Sequence, residues 1–152
     1  MNGADKLASD LRGISRIAID AMGFIYHFEA NERYLSLTKM IFSKVEQGKI
    51  KAVTSLVTVA EIFSNQKIVE DEELAGIYRH VFDTWPNLTI HVPDLTDAML
   101  VGAVRVEHGL RLPDAFQVEA ALSFGAEVIV TNDDKFRKIK RPKVLILKDY
   151  LS

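Results

Sequence analysis

Cysteine is absent from all 152 residues. No disulfide framework, zinc–thiolate site or thiol nucleophile can therefore exist, and the composition fits a reducing cytoplasm. The eight glycines are scattered, so neither a dinucleotide fingerprint nor a Walker-type lysine loop is present. No apolar run approaches the length that crosses a bilayer. The opening residues mix Asp5, Lys6, Asp10 and Arg12 with isolated apolar positions, unlike the apolar stretch of a signal peptide. Export and membrane insertion are disfavoured. The serines lack a nucleophile-elbow context. His27, His80, His91 and His108 stand far apart without metal-ligand spacing, and read as surface or core residues.

What remains is a balanced composition, 48% apolar and 26% charged, that suits one soluble globular domain with its own core. Short apolar runs alternate with segments of helical period. Strands are expected over residues 16–20, 50–55, 88–92, 127–131 and 144–147. Helices are expected over 32–47, 58–64, 70–84, 94–108 and 114–124. Gly48, Gly109 and Gly125 mark three helix ends. Residues 21–31 read as a brief turn region, and Met22, Phe24, Phe28 and Met40 as core. The class is α/β, a mostly parallel five-stranded sheet with helices on both faces. Residues 1–15 read as an N-terminal extension and 16–152 as the domain.

Four acids recur where a strand ends or the next helix begins: Asp20, Glu61, Asp114 and Asp133. The carboxyl edge of an open α/β sheet is where such folds collect ligands. Acids gathered there repel one another unless a cation holds them, and oxygen donors suit Mg²⁺ or Mn²⁺. Each acid also has a local account. Thr58 and Glu61 have the spacing of a capping box. Asp114, after Pro113 and three residues before Gln117, has that of an N-cap. Asp133 and Asp134 share a turn-forming Thr-Asn-Asp-Asp run. Asp20 follows Ile17-Ala18-Ile19 directly, and a charge drawn against a buried strand needs compensation.

Net charge is −2, but it is unevenly placed. Lys135, Arg137, Lys138, Lys140, Arg141 and Lys143 include no acid among them, which leaves 13 cations against 21 acids elsewhere. This strip is either solvated surface or a phosphate-tracking edge beside the last acid.

From Ile17 to Leu147 the motifs resemble the PIN-domain nucleases, in particular the VapC-type toxins of toxin–antitoxin pairs. Ile17-Ala18-Ile19-Asp20 with Phe24-Ile25-Tyr26, then Thr58-x-x-Glu61, Gly109-Leu110-Arg111-Leu112-Pro113-Asp114-Ala115 and Thr131-Asn132-Asp133 occur in the family's order, the last selecting Asp133 over Asp134. Met22 departs from the Asn or Ser often found there. The resemblance implies an endoribonuclease in which Asp20, Glu61, Asp114 and Asp133 hold one or two Mg²⁺ or Mn²⁺ ions. Water is activated to leave a 5′-phosphate and a 3′-hydroxyl, and Thr131, Asn132 and Thr58 orient the acids or the water. It also implies an RNA substrate, a homodimer and a VapB-type antitoxin. The alternative is a catalytically silent PIN-like module that binds RNA or protein.

Overall fold

The computed structural model describes residues 1–151. Its elements are α1 (Gly3–Asp10), β1 (Arg16–Ile19), α2 (Ala21–Phe28), α3 (Leu35–Glu46), β2 (Lys51–Ser55), α4 (Leu56–Phe63), α5 (Gln66–Val69), α6 (Glu72–Thr84), β3 (Leu88–His91), α7 (Leu95–His108), α8 (Leu112–Phe124), β4 (Val128–Thr131) and β5 (Lys143–Ile146). The strands form one sheet in the order β3-β2-β1-β4-β5, and every pairing is parallel.

Alternation along the central strands divides the core in two. Ile17, Ile19, Val128 and Val130 face a layer that includes Phe24, Leu37, Ile41 and Phe82. Ala18, Val53 and Ile129 face Val101, Val104, Val118 and Ala121 of α7 and α8. Burial on both faces is why these strands are nearly continuous apolar runs. Phe24, Phe42, Phe82 and Trp85 cluster with ring centroids 4.7–6.5 Å apart.

Three expectations about the elements change. Residues 21–28, expected to be a turn, form α2, capped by Asp20; Ala21-Met22-Gly23-Phe24-Ile25 is too evenly apolar to show a helical stripe. The helix expected from Thr58 begins at Leu56, because Ser55, the last residue of β2, accepts the Val57 N–H at 3.2 Å. The helix expected from Asp114 begins at Leu112. Gly109 and Gly125 do end helices in the left-handed conformation, with φ of 61° and 73°.

Residues 3–10 form α1, with Asn2 and Asp5 in a capping box. Leu7 and Leu11 are buried in the core, worth roughly 1.5–3 kcal/mol each. Gly3 lies so close to the Tyr150 carbonyl that a side chain there has no room. Tyr150 in turn donates its hydroxyl to Asp10 Oδ2 at 2.6 Å. No helix among the described residues is long and apolar enough to cross a membrane.

Candidate active site

The chain fills one side of the sheet with β1, β2 and β3, then returns to add β4 and β5 on the other side of β1. Between β1 and β4 the connections diverge, and such a switch point opens a crevice at the carboxyl ends of the strands. Asp20 stands directly after β1. Its N–H donates to Val130 O at 2.9 Å, which sets it beside Thr131 at the end of β4. Asp20 Oδ1 accepts the Ala21 N–H at 2.9 Å, and Oδ2 accepts the Thr131 hydroxyl at 2.9 Å. That hydroxyl oxygen accepts the Asp133 N–H at 3.2 Å, coupling the first acid to the last.

Asp114 is the third residue of α8 rather than its cap, and its carboxylate is buried. Arg111 donates to it through Nε at 3.3 Å and through Nη2 at 3.5 Å. Glu61 lies in the interior of α4, so the capping-box account of Thr58 and Glu61 fails. Thr58 instead donates to Gln117 Oε1 at 2.8 Å. Gln117 is completely buried and receives the Ser55 N–H at 3.1 Å as well, while its Nε2 donates to Ile19 O at 2.9 Å. One side chain thus ties together β1, β2, α4 and α8, the elements that carry Asp20, Glu61 and Asp114. The sequence signal for it was a polar residue one turn beyond Asp114, on the same face of the helix. It was read as a cap partner.

Electrostatics shows which acids the fold brings together. Burial, opposed by the bonds from Ala21 and Thr131 and reinforced by Asp114 and Asp133, lifts the Asp20 carboxyl to a pKa of about 6. Glu61, exposed at the rim, is also raised by loss of solvent around its carboxyl and by Asp20 and Asp114, with Arg111 opposing. Asp133 accepts the Lys135 N–H at 2.9 Å. Asp134 turns to Arg137 and Lys148 instead. Asn132 is not bonded to the acids. Its amide donates to the Tyr26 and Tyr34 hydroxyls at 2.9 and 3.1 Å, and its Oδ1 accepts the Lys148 N–H at 2.8 Å.

Over residues 17–142 the chain matches the PIN domain family. It belongs to that family. This PIN domain has the fold of several solved proteins. One is a toxin–antitoxin complex from Klebsiella pneumoniae, with TM-score 0.65 and 20% identity over 86% of this chain and 97% of that one. Another is VapBC-1 from nontypeable Haemophilus influenzae, with TM-score 0.63 and 19% identity over 88% and 98%. A third is VapBC2 from Rickettsia felis bound to a promoter DNA fragment, with TM-score 0.61 and 14% identity over 86% and 98%. No curated protein matches the chain.

The donor set of the PIN site fits a hard divalent cation. Arg111 is the guanidinium beside Asp114, Glu61 and Asp133, while Asp114 and Asp133 raise the Asp20 carboxyl and Asp20 and Asp114 raise Glu61. The ring is loose: among the described residues, the group whose ligating atoms all fall within 4.8 Å of one another is a different one, His91, Asp97 and Glu119. A loose ring of oxygens suits Mg²⁺, which keeps several waters and takes only one or two carboxylates directly. The four histidines do stand apart from one another, but His91 meets two distant carboxylates, Asp97 and Glu119. It is separated from its two partners by 6 and 28 residues, which no local spacing rule detects.

Proposed function

We propose that this PIN domain is a Mg²⁺- or Mn²⁺-dependent endoribonuclease, the VapC-type toxin of a toxin–antitoxin pair. The observation that carries this reading is that the buried Asp20 carboxyl at the switch point feels Asp114 and Asp133, and Glu61 feels Asp20 and Asp114. Asp20, Asp114 and Asp133 would hold the ion, with Glu61 closing the rim. When bound, such an ion supplies a water of lowered pKa and neutralises charge developing on the scissile phosphate.

The remaining roles belong to the chain. Thr131 fixes the Asp20 carboxylate through one oxygen, leaving the acid little freedom to swing. Arg111 holds Asp114 and, being more than half exposed, extends a cation toward the entrance of the crevice. Gln117 sets the spacing of the three supporting elements and excludes water beneath them. Beyond Asp133, Lys135, Lys140, Arg141 and Lys143 make no ion pair among the described residues, which supports a role in tracking the RNA backbone.

The solved complexes of similar fold are toxin–antitoxin pairs, which supports a VapB-type antitoxin as partner. The apolar groove of Leu56, Val59, Phe63 and Phe82 beside α4 gives such a partner a surface to cover. Exposed Leu95, Met99 and Val106 on α7 support association as a homodimer. The test is cleavage of a panel of transfer, ribosomal and messenger RNAs in Mg²⁺, in Mn²⁺ and in chelator, by the natural chain and by Asp20→Asn. Metal-dependent cleavage lost in the variant is expected. Silence of the natural chain with both metals across the panel leaves a binding module and overturns the enzyme.

A further inference from the structure

Glu119 lies five residues beyond Asp114 on α8, about 140° around the axis and about 7.5 Å along it. It therefore faces a different part of the molecule from the acidic crevice. There it meets His91, the last residue of edge strand β3, and Asp97, in the first turn of α7. His91 Nε2 is 3.0 Å from Glu119 Oε1 and 3.4 Å from Asp97 Oδ2. The Glu119 side chain is fully buried, and the other two are about 21% and 22% exposed.

Hydrogen bonding alone does not satisfy this group. One imidazole nitrogen carries at most one proton, so it can donate fully to only one of the two carboxylates. Asp97 Oδ2 also accepts the Asp94 N–H at 2.9 Å, and Glu119 Oε1 accepts the Ser123 hydroxyl at 3.1 Å. Glu119 Oε2 is buried with no hydrogen-bond partner at all. A buried carboxylate oxygen left in that state is costly; a proton shared with Asp97 relieves it when no ion is bound, and a cation in the proton's place relieves it equally.

The spacing favours a metal ion as that cation. Nitrogen and oxygen ligands about 2.0–2.2 Å from an ion stand roughly 3.3–3.6 Å apart in a tetrahedron and roughly 2.8–3.1 Å apart in an octahedron. The 3.4 Å separation from Asp97 fits a tetrahedron, and the 3.0 Å separation from Glu119 is about 0.3 Å short of it, a gap that a small shift of the His91 ring closes. Ser123 and the Asp94 N–H hold the ligands in place, as outer partners of metal ligands commonly do. An imidazole nitrogen with two carboxylates suits a borderline d-block ion over Mg²⁺.

We propose that His91, Asp97 and Glu119 form a metal site separate from the acidic crevice, taking a divalent ion of the Zn²⁺ class. The ion ties the edge strand β3 to α7 and α8. With three protein ligands, a water completes the shell.

The test is calorimetric titration of the purified chain with Zn²⁺ in excess Mg²⁺, together with Co²⁺ absorption as a reporter of nitrogen ligation. His91→Gln, Glu119→Gln and Asp20→Asn are compared. One equivalent of Zn²⁺ is expected to bind the natural chain and Asp20→Asn alike and to raise the melting temperature of both. His91→Gln is expected to lose at least about tenfold in affinity, and its Co²⁺ band with it. Should the buried Glu119→Gln fail to fold, His91→Gln, whose side chain is partly exposed, decides alone. Absence of Zn²⁺ binding in the natural chain, its survival in His91→Gln, or its loss in Asp20→Asn overturns the proposal.

Discussion

Replacing Asp20 by Asn is expected to stabilise the metal-free protein while removing its activity. The Asp20 carboxyl rises from an ordinary 3.8 to about 6 in the fold, through burial first and then through Asp114 and Asp133. Because the folded value exceeds the unfolded one, the unfolded chain releases this proton first as pH rises. Stability from this group is therefore full below about pH 4 and lost as pH climbs through about 6. A shift of about two units corresponds to about 3 kcal/mol. Asn keeps the cap on Ala21 and carries no charge, at the price of turning the Thr131 hydroxyl into an acceptor. The net gain expected in chelator at about pH 8 is roughly 2–3 kcal/mol, or roughly 5–10 °C in melting temperature for a chain of this size. At about pH 4 the two proteins should converge. Denaturant melts of both at the two pH values measure it. Equal stability at the higher pH, or a gap that ignores pH, would refute the electrostatic account of the crevice.

Asp133→Ala should abolish cleavage and the growth arrest that accompanies expression, whereas Asp134→Ala should keep both; equal loss in RNA assays of the two would show the last acid to be misassigned. Gln117→Leu leaves the Thr58 hydroxyl and the Ser55 N–H without their acceptor, and should lower stability by about 2–4 kcal/mol. It should also reduce kcat with every acid in place, and a kcat unchanged at a temperature where the variant is folded would end its positioning role. Neutralising Lys138, Lys140 and Arg141 together should reduce the salt slope of single-stranded RNA binding by about 2; an unaltered slope in filter binding would assign these cations to solvated surface.

The sheet was legible in the sequence because burial on both faces writes a strand as an unbroken apolar run, as in Ile17-Ala18-Ile19 and Val128-Ile129-Val130. Asp20 was legible for the same reason, since an acid that directly follows such a run cannot be solvated freely. What was not legible depends on contacts between distant segments. The start of α4 was misplaced because its cap, Ser55, is also the last residue of β2, and no loop residues separate the two elements. Residues 1–15 read as an extension, yet α1 packs against α3 and Leu7 and Leu11 are buried in the same core cluster as Leu37 and Ile41, which two isolated leucines do not announce. Asn132 had the position of a group that orients the acids; its bonds to Tyr26 and Tyr34 depend on a turn of the chain that brings α2 and α3 beneath β4.

The same burial and, behind it, the same repulsion that raise the Asp20 pKa also define what the crevice favours. Among the described residues Arg111 is the cation that pairs with these acids, and its guanidinium is more than half exposed, so solvent screens much of its effect. Protons and divalent cations are thus alternative ways of relieving one electrostatic load, and each must weaken the other's binding. Metal affinity should accordingly fall as pH drops below about 6, where Asp20 takes up its proton. The Thr131 hydroxyl and the Ala21 N–H both donate to the Asp20 carboxylate and favour its charged form, against the burial that favours the proton. Two fixed donors position the carboxylate as a ligand, and a cation that enters the crevice must displace the proton that burial favours.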